Sequence, residues 1–107
     1  MKILFDHGTP VPLRRFLPGH EVSTAYEMGW AELQNGDLLA AVEKVFQALI
    51  TTDKNLRYQQ NLSGRRLAIL VLPTTSWPRI QQHLPEVLAA VNALKPGDFT
   101  ELKFGKP

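Results

Sequence analysis

Short apolar runs separated by polar segments rich in proline and glycine dominate the pattern of this chain. Five runs have the short length and the apolar or β-branched character of strands. They are residues 3–5, 20–25, 48–52, 67–72 and 99–104. Between them, apolar side chains recur at helical spacing of three and four residues. The predicted helices are residues 10–17, 36–46, 55–62 and 77–94.

The alternation of strands and helices along the chain predicts its fold class. Such alternation is typical of parallel strands with right-handed crossovers and helices on both faces. Residues 67–72 form the longest apolar run and are the predicted central strand. Asn35 is the predicted N-cap of the second helix, and Pro85 predicts a kink or break in the last one. We therefore expect a three-layer α/β/α fold with a mostly parallel sheet of about five strands.

Composition limits the classes of protein to which the chain can belong. Its 107 residues suffice for one domain, spanning residues 1–107, and 44% hydrophobic with 21% charged residues is ordinary for a globular protein. The absence of cysteine excludes disulfides and thiolate–metal sites. No segment approaches the roughly 20 apolar residues of a membrane helix, and residues 1–6 lack a signal-peptide pattern. We expect a cytoplasmic protein with no membrane partner.

Two aspartates follow predicted strands in the same local pattern. Asp6 comes after residues 3–5 and Asp53 after residues 48–52. In open α/β sheets the ligand crevice lies at the carboxyl ends of the strands, where the two carboxylates can converge. Oxygen ligands of this kind select a hard cation such as Mg²⁺ or Mn²⁺. The alternative is that each aspartate is a turn or cap residue.

Four short motifs resemble the signatures of a family of small bacterial PIN-like proteins. The family begins with a strand ending in Asp and continues with Gly-His-acid-Val, a Glu-hydrophobic-Gly stretch and a Thr-X-Asp-X-Asn/Asp-Phe/Leu signature. The matching segments here are residues 1–6, 19–22, 27–29 and 51–56. The order and spacing fit over residues 1 to about 72, which is roughly two thirds of the chain.

This resemblance implies a PIN-like fold and a Mg²⁺- or Mn²⁺-dependent ribonuclease, often the toxin of a toxin–antitoxin pair. The implied partners are RNA, an antitoxin protein and a second copy of the chain. The family's first and last acids fall on Asp6 and Asp53, whereas its middle acid falls on Asn35. Asp37 and Glu27 are the candidates to replace that acid. The predicted catalytic residues are Asp6, Asp53 and Asp37, and the predicted metal ligands are these three with Glu27.

Basic residues near the two aspartates are candidates for contacts to an RNA backbone, which needs cations along its track. Lys54, Arg57, Arg65 and Arg66 are expected to cluster around Asp53, and the pair Arg14-Arg15 follows Asp6. The alternative is that these residues only form solvated helix faces.

Two other functions remain open at the level of sequence. A PIN-like binding module that has lost catalysis, and binds RNA or a protein, is favoured by Asn35. A signalling domain of receiver type also gathers aspartates at strand ends. That type needs two adjacent acids after the first strand and a lysine after the last, which Asp6-His7 and Thr74-Thr75 do not supply. Self-association is also expected, with Trp77 and the last helix as the seam.

Overall fold

Five parallel strands form one sheet in the computed structural model, which describes residues 1–56 and 64–105 without the side chain of Asn35. The strands are β1 (Lys2–Phe5), β2 (Glu21–Thr24), β3 (Ala48–Thr51), β4 (Ala68–Val71) and β5 (Phe99–Glu101). Every pairing is parallel, and the order is β2-β1-β3-β4-β5. The expected parallel five-stranded sheet is therefore confirmed.

Four helical segments connect these strands within the described residues. They are a 3₁₀ helix (Val11–Phe16), α1 (Asn35–Val45), α2 (Trp77–Gln82) and α3 (Leu84–Ala93). None of the helices in residues 1–56 and 64–105 has the length and hydropathy needed to cross a membrane. The predicted helix over residues 55–62 lies almost wholly outside the described residues.

Prolines shape two of the helical connections. Prolines at the start of the first segment restrict the backbone, and the segment forms a 3₁₀ helix with three-residue hydrogen bonds such as Leu17 N–H to Arg14 O, 3.3 Å. The predicted break in the last helix is confirmed, because α2 ends and α3 begins around His83, two residues before Pro85. Proline has no N–H to donate, so a helix accommodates it without a break only in its first turn.

Two details of the sequence prediction are wrong. Helix α1 begins at Asn35 with Gln34 as its N-cap, so the predicted cap is displaced by one residue. The central strand is β3 rather than β4. Both strands are buried along their whole length, and the buried Leu67 and Leu72 extend the apolar run of β4. The length of an apolar run indicates that a strand is buried on both faces, but it does not indicate the position of that strand in the sheet.

The two faces of the sheet carry separate halves of the core, because side chains alternate along each strand. One half, built on strand residues such as Ile3, Ile50 and Leu70, packs under the 3₁₀ helix, α2 and α3. The other, built on residues such as Leu4 and Leu49, packs under α1. The expected three-layer α/β/α arrangement is therefore confirmed.

The crossovers do not all share one hand. The connections β2–β3 and β4–β5 step across the sheet in the same direction. Helix α1 covers one face in the first, whereas α2 and α3 cover the opposite face in the second. Two parallel crossovers that step the same way over opposite faces have opposite hands. The expectation that every crossover is right-handed is therefore wrong.

Candidate functional site

A pocket opens where the chain reverses its direction of travel across the sheet. From β1 the chain first moves to β2 on one side and then to β3 on the other. Ligands of open α/β sheets bind at this switch point, beside the carboxyl ends of the strands. A pocket of about 270 Å³ lies there and is lined by both Asp6 and Asp53. The structure thus brings together the two aspartates that the sequence placed at strand ends.

Asp6 is held by neutral hydrogen-bond donors in a partly buried position. The Thr51 hydroxyl donates to its Oδ2, and the Thr9 hydroxyl lies 2.9 Å from its Oδ1. The Gly8 N–H also bonds its carboxylate. Burial raises the pKa of Asp6 above the usual 3.8, although these hydrogen bonds and the nearby His7 act in the opposite direction. Its charge is therefore only partly compensated within the protein.

Thr51 links the two aspartates through one hydroxyl group. The backbone N–H of Asp53 donates to Thr51 Oγ1 over 3.0 Å, while that hydroxyl donates its own proton to Asp6. Because a hydroxyl has a single proton, the bond from Asp53 directs this proton towards Asp6. Asp53 is itself held by the Asn55 N–H, which donates to its Oδ1 over 3.0 Å. The loop after β3 is thereby fixed beside the end of β1.

The remainder of the pocket is mostly apolar and includes the start of α1. Its walls are Ala31, Leu33, Leu38, Leu39, Leu49 and Leu56, together with His7 and Gln34. Gln34 is the N-cap of α1 but makes no side-chain capping bond. The N-terminal end of a helix carries a partial positive charge, so this wall favours negative groups in the pocket.

The other two predicted metal ligands lie outside the pocket lining. Glu27 and Thr24 form a reciprocal cap, in which each backbone N–H donates to the other side chain, at 2.9 and 3.1 Å. Arg14 lies 2.7 Å from Glu27 Oε1, and its hydrogen bond is the main cause of the lowered pKa of Glu27. Asp37 is exposed in the first turn of α1. In residues 1–56 and 64–105, no group of three or more His, Cys, Asp or Glu could hold a metal ion.

The predicted basic cluster around Asp53 is not formed as expected. Arg65 and Arg66 precede β4 and therefore lie at the amino ends of the parallel strands, away from Asp53 at the carboxyl ends. There Arg65 pairs with Glu43 at 2.9 Å. That part of the prediction is wrong. Lys54 is exposed beside a smaller cavity of about 160 Å³ near β4 and β5. Arg14 is engaged by Glu27, and Arg57 lies outside the described residues.

Sequence reasoning missed the hydroxyl groups that hold Asp6. Thr9 is buried, and its Oγ1 also lies 2.8 Å from Ile50 O. Thr51 is the last residue of β3 and is almost fully buried. A threonine at the end of a predicted strand, two residues before an aspartate, was the available signal. No comparable signal marked Thr9, because its contact with Ile50 depends on how two distant segments pack.

Asp6 and Asp53 are the residues of the pocket that could hold a magnesium or manganese ion. Mg²⁺ is commonly held by only one or two carboxylates, with water and substrate phosphate as its other ligands. Asp6 and Asp53 supply two carboxylates in a pocket with room for these. A cation would also favour the charged form of Asp6, which burial disfavours. No protein-family model, curated protein or solved structure matches this chain, so its likeness to PIN-like proteins stays a prediction from the four motifs.

Proposed function

We propose that the chain is a Mg²⁺- or Mn²⁺-dependent ribonuclease whose active site is the pocket of Asp6 and Asp53. The observation that carries this proposal is that Asp6 and Asp53 both line one pocket at the switch point of the sheet. In this proposal the protein acts in the cytoplasm as the toxin of a toxin–antitoxin pair. That last step rests on the resemblance of the four motifs.

Each group in the pocket has a distinct part in the proposed reaction. A divalent cation, when bound, polarises the phosphodiester and lowers the pKa of a water. Asp6 and Asp53 would hold that cation, and Thr51 holds Asp6 in position for it. In hydrolysis the water oxygen bonds to phosphorus and gives up one proton to solvent, the bond from phosphorus to the leaving ribose oxygen breaks, and that oxygen takes one proton from solvent. The partial positive charge at the N-terminal end of α1, in the wall of the pocket, favours binding of the anionic phosphate.

Exposed groups around the pocket support a nucleic acid as the substrate. Lys54 directly follows Asp53 and is exposed, so it can contact a backbone phosphate. Tyr26 follows β2 at the same edge of the sheet and is 82% exposed, although large aromatic rings usually avoid water. An exposed ring of this kind can stack on an unpaired base.

Calorimetric titration with Mn²⁺ tests the proposal directly. We expect binding in the wild type and its loss in the Asp6→Asn and Asp53→Asn variants. Glu32→Gln is the matched control, because it removes one exposed negative charge that does not line the pocket. The Asp37→Asn and Glu27→Gln variants test the other two predicted ligands, and we expect smaller losses because neither side chain lines the pocket.

An RNA cleavage assay then separates an enzyme from a binding module. We expect cleavage that needs Mn²⁺ or Mg²⁺ and disappears in the Asp53→Asn variant. Unchanged cleavage in that variant would refute the assignment. The observation that favours an inactive PIN-like module is that two, and not three, acids line the pocket. RNA binding without cleavage by a Mn²⁺-loaded wild type would support that alternative.

The strand order provides one argument for a receiver-type domain. The order β2-β1-β3-β4-β5 is shared with flavodoxin-like sheets. A second acid beside Asp6 is still missing, since His7 occupies that position. Lys103 follows β5 but lines the smaller cavity with Lys54 rather than the pocket of Asp6. We therefore rank this function below the ribonuclease.

A further inference from the structure

Two aromatic rings and two exposed arginines lie on the 3₁₀ helix and α2, and these four residues, Phe16, Trp77, Arg15 and Arg79, are here called the aromatic platform. The rings of Phe16 and Trp77 lie with centroids 5.7 Å apart and planes tilted by 39°. Trp77 packs against the core, whereas Phe16 is 37% exposed on top of it. The platform joins the 3₁₀ helix to α2, which are in contact.

The arginines of the platform differ from the other basic residues near the site. Arg15 and Arg79 are exposed, and neither side chain makes an ion pair within the described residues. Arg14, by contrast, is neutralised by Glu27. The 3₁₀ helix and α2 therefore carry a partly exposed aromatic ring and two exposed arginines without an ion-pair partner among the described residues.

The platform lies next to the loops that build the pocket. Gly8, in the loop after β1, is so close to Thr52 and Thr75 that an added Cβ would contact both side chains. Thr52 lies between Thr51 and Asp53, and Thr75 precedes Trp77 by two residues. The leucine walls of the pocket belong to the half of the core under α1, so a nucleic acid that reached both the pocket and the platform would pass over these loops.

We propose that the aromatic platform binds single-stranded RNA. This inference rests on the proposed function only in taking RNA as the substrate. Unpaired bases stack on exposed aromatic rings, while arginine contacts the phosphates between them. Paired bases cannot reach the ring, so the platform selects single strands. The two exposed arginines favour this anionic occupant over an apolar protein surface, which would desolvate any arginine that it covered without supplying a partner.

Tryptophan fluorescence measures binding at this surface in isolation. The Trp30→Phe variant leaves Trp77 as the only tryptophan. We expect a 12-residue oligo(U) to quench its emission in a saturable way, in EDTA so that no metal-dependent cleavage occurs. Quenching should weaken as salt is added, because phosphate contacts release counterions. A 12-base-pair RNA duplex and inorganic polyphosphate test whether free bases are required, and we expect weaker binding of both.

Two pairs of variants test stacking and charge separately. Phe16→Leu keeps an apolar contact with Trp77 but removes the ring, and we expect a loss of affinity of about tenfold, as base–aromatic stacking predicts. Phe16→Tyr keeps the ring and should retain binding. Arg79→Glu should weaken binding severalfold and reduce its salt dependence. Lys95→Glu makes the same charge change at an exposed position before β5 and should have little effect.

The outcomes distinguish this inference from the ribonuclease assignment. Equal quenching by oligo(U) and polyphosphate, or full binding by Phe16→Leu, overturns the stacking platform even if the protein cleaves RNA. No quenching at millimolar oligo(U) overturns it as well. Conversely, binding that persists in the Asp6→Asn variant supports the platform whether or not the wild type binds Mn²⁺.

Discussion

Burial and hydrogen bonding act in opposite directions on the pKa of the Asp6 carboxyl group. Three hydrogen bonds favour its charged form, yet burial is the larger influence and raises its pKa. In the proposed function, a bound cation would offset the burial that makes Asp6 costly to ionise. The two hydroxyls fix the direction of its oxygens and carry no charge that would compete with the ion.

The raised pKa of Asp6 predicts how stability changes with pH. The folded protein holds the Asp6 proton more tightly than the unfolded chain, so this group contributes stability below pH 3.8 that is lost as pH rises through its folded pKa. We expect the wild type to lose stability relative to Asp6→Asn over this interval, by at most about 1.4 kcal/mol per pH unit. Urea denaturation of both proteins in EDTA, from pH 3.5 to 8, measures the difference.

A second variant checks the cause of that pH dependence. Thr51→Val removes a hydroxyl that lowers the pKa of Asp6, so the decline should extend to higher pH. A gain in the stability of the wild type relative to Asp6→Asn as pH rises would contradict the assigned direction. Saturating Mn²⁺ should stabilise the wild type at neutral pH, because a ligand of the folded state adds its binding free energy.

Gly8 is the residue whose lack of a side chain lets the two strand-end loops meet. A Cβ there would approach Thr52 Oγ1 more closely than real Cβ contacts allow. We expect Gly8→Ala to cost about 1–3 kcal/mol, because threonine has few rotamers with which to move aside. In a Thr52→Ala background the same change should cost much less. Thermal denaturation of the four proteins in this cycle measures the coupling.

Gly105 provides the control for that cycle. No atom lies within 4 Å of a Cβ built at Gly105, so Gly105→Ala should leave the melting temperature nearly unchanged. If Gly8→Ala were equally harmless, the close packing of the loops after β1 and β3 would be refuted.

At the scale of elements, α1 begins with a residue that is poorly suited to its position. Gln34 has the extended backbone of an N-cap but makes no capping bond. We expect Gln34→Ser and Gln34→Asp each to stabilise the protein by about 1 kcal/mol, since both side chains cap helices well. Gln34 also lines the pocket, so only the aspartate adds a third carboxylate there. Mn²⁺ affinity should therefore rise severalfold in Gln34→Asp and stay unchanged in Gln34→Ser.

The elements also show which parts of the structure the sequence could predict. Strand positions followed from apolar runs, because burial on both faces leaves a strong signal, and Pro85 located the break between α2 and α3. The meeting of Asp6 with Asp53 followed from the rule for strand ends. The position of Arg65 at the opposite edge and the capture of Glu27 by Arg14 did not, because both depend on which distant elements pack together.

At the scale of the whole molecule, the site occupies the most enclosed part of the sheet. β1 and β3 have neighbouring strands on both sides, whereas β5 is a three-residue strand at one edge of the sheet, next to β4. Local openings of a protein start where backbone hydrogen bonds are exposed and buried apolar contacts are few. An opening that releases β5 should therefore leave the pocket formed.

Native-state hydrogen exchange tests this separation between the site and the edge of the sheet. We expect the amides of β1 and β3 to exchange only through global unfolding and those of β5 to exchange faster. Mg²⁺ should slow exchange of the Asp53 amide, which donates to Thr51, more than it slows β5. Uniform protection across all strands would show that the sheet opens as one unit. In that case, binding at the pocket would stabilise β5 as strongly as β1, and the edge could not open while the site stays intact.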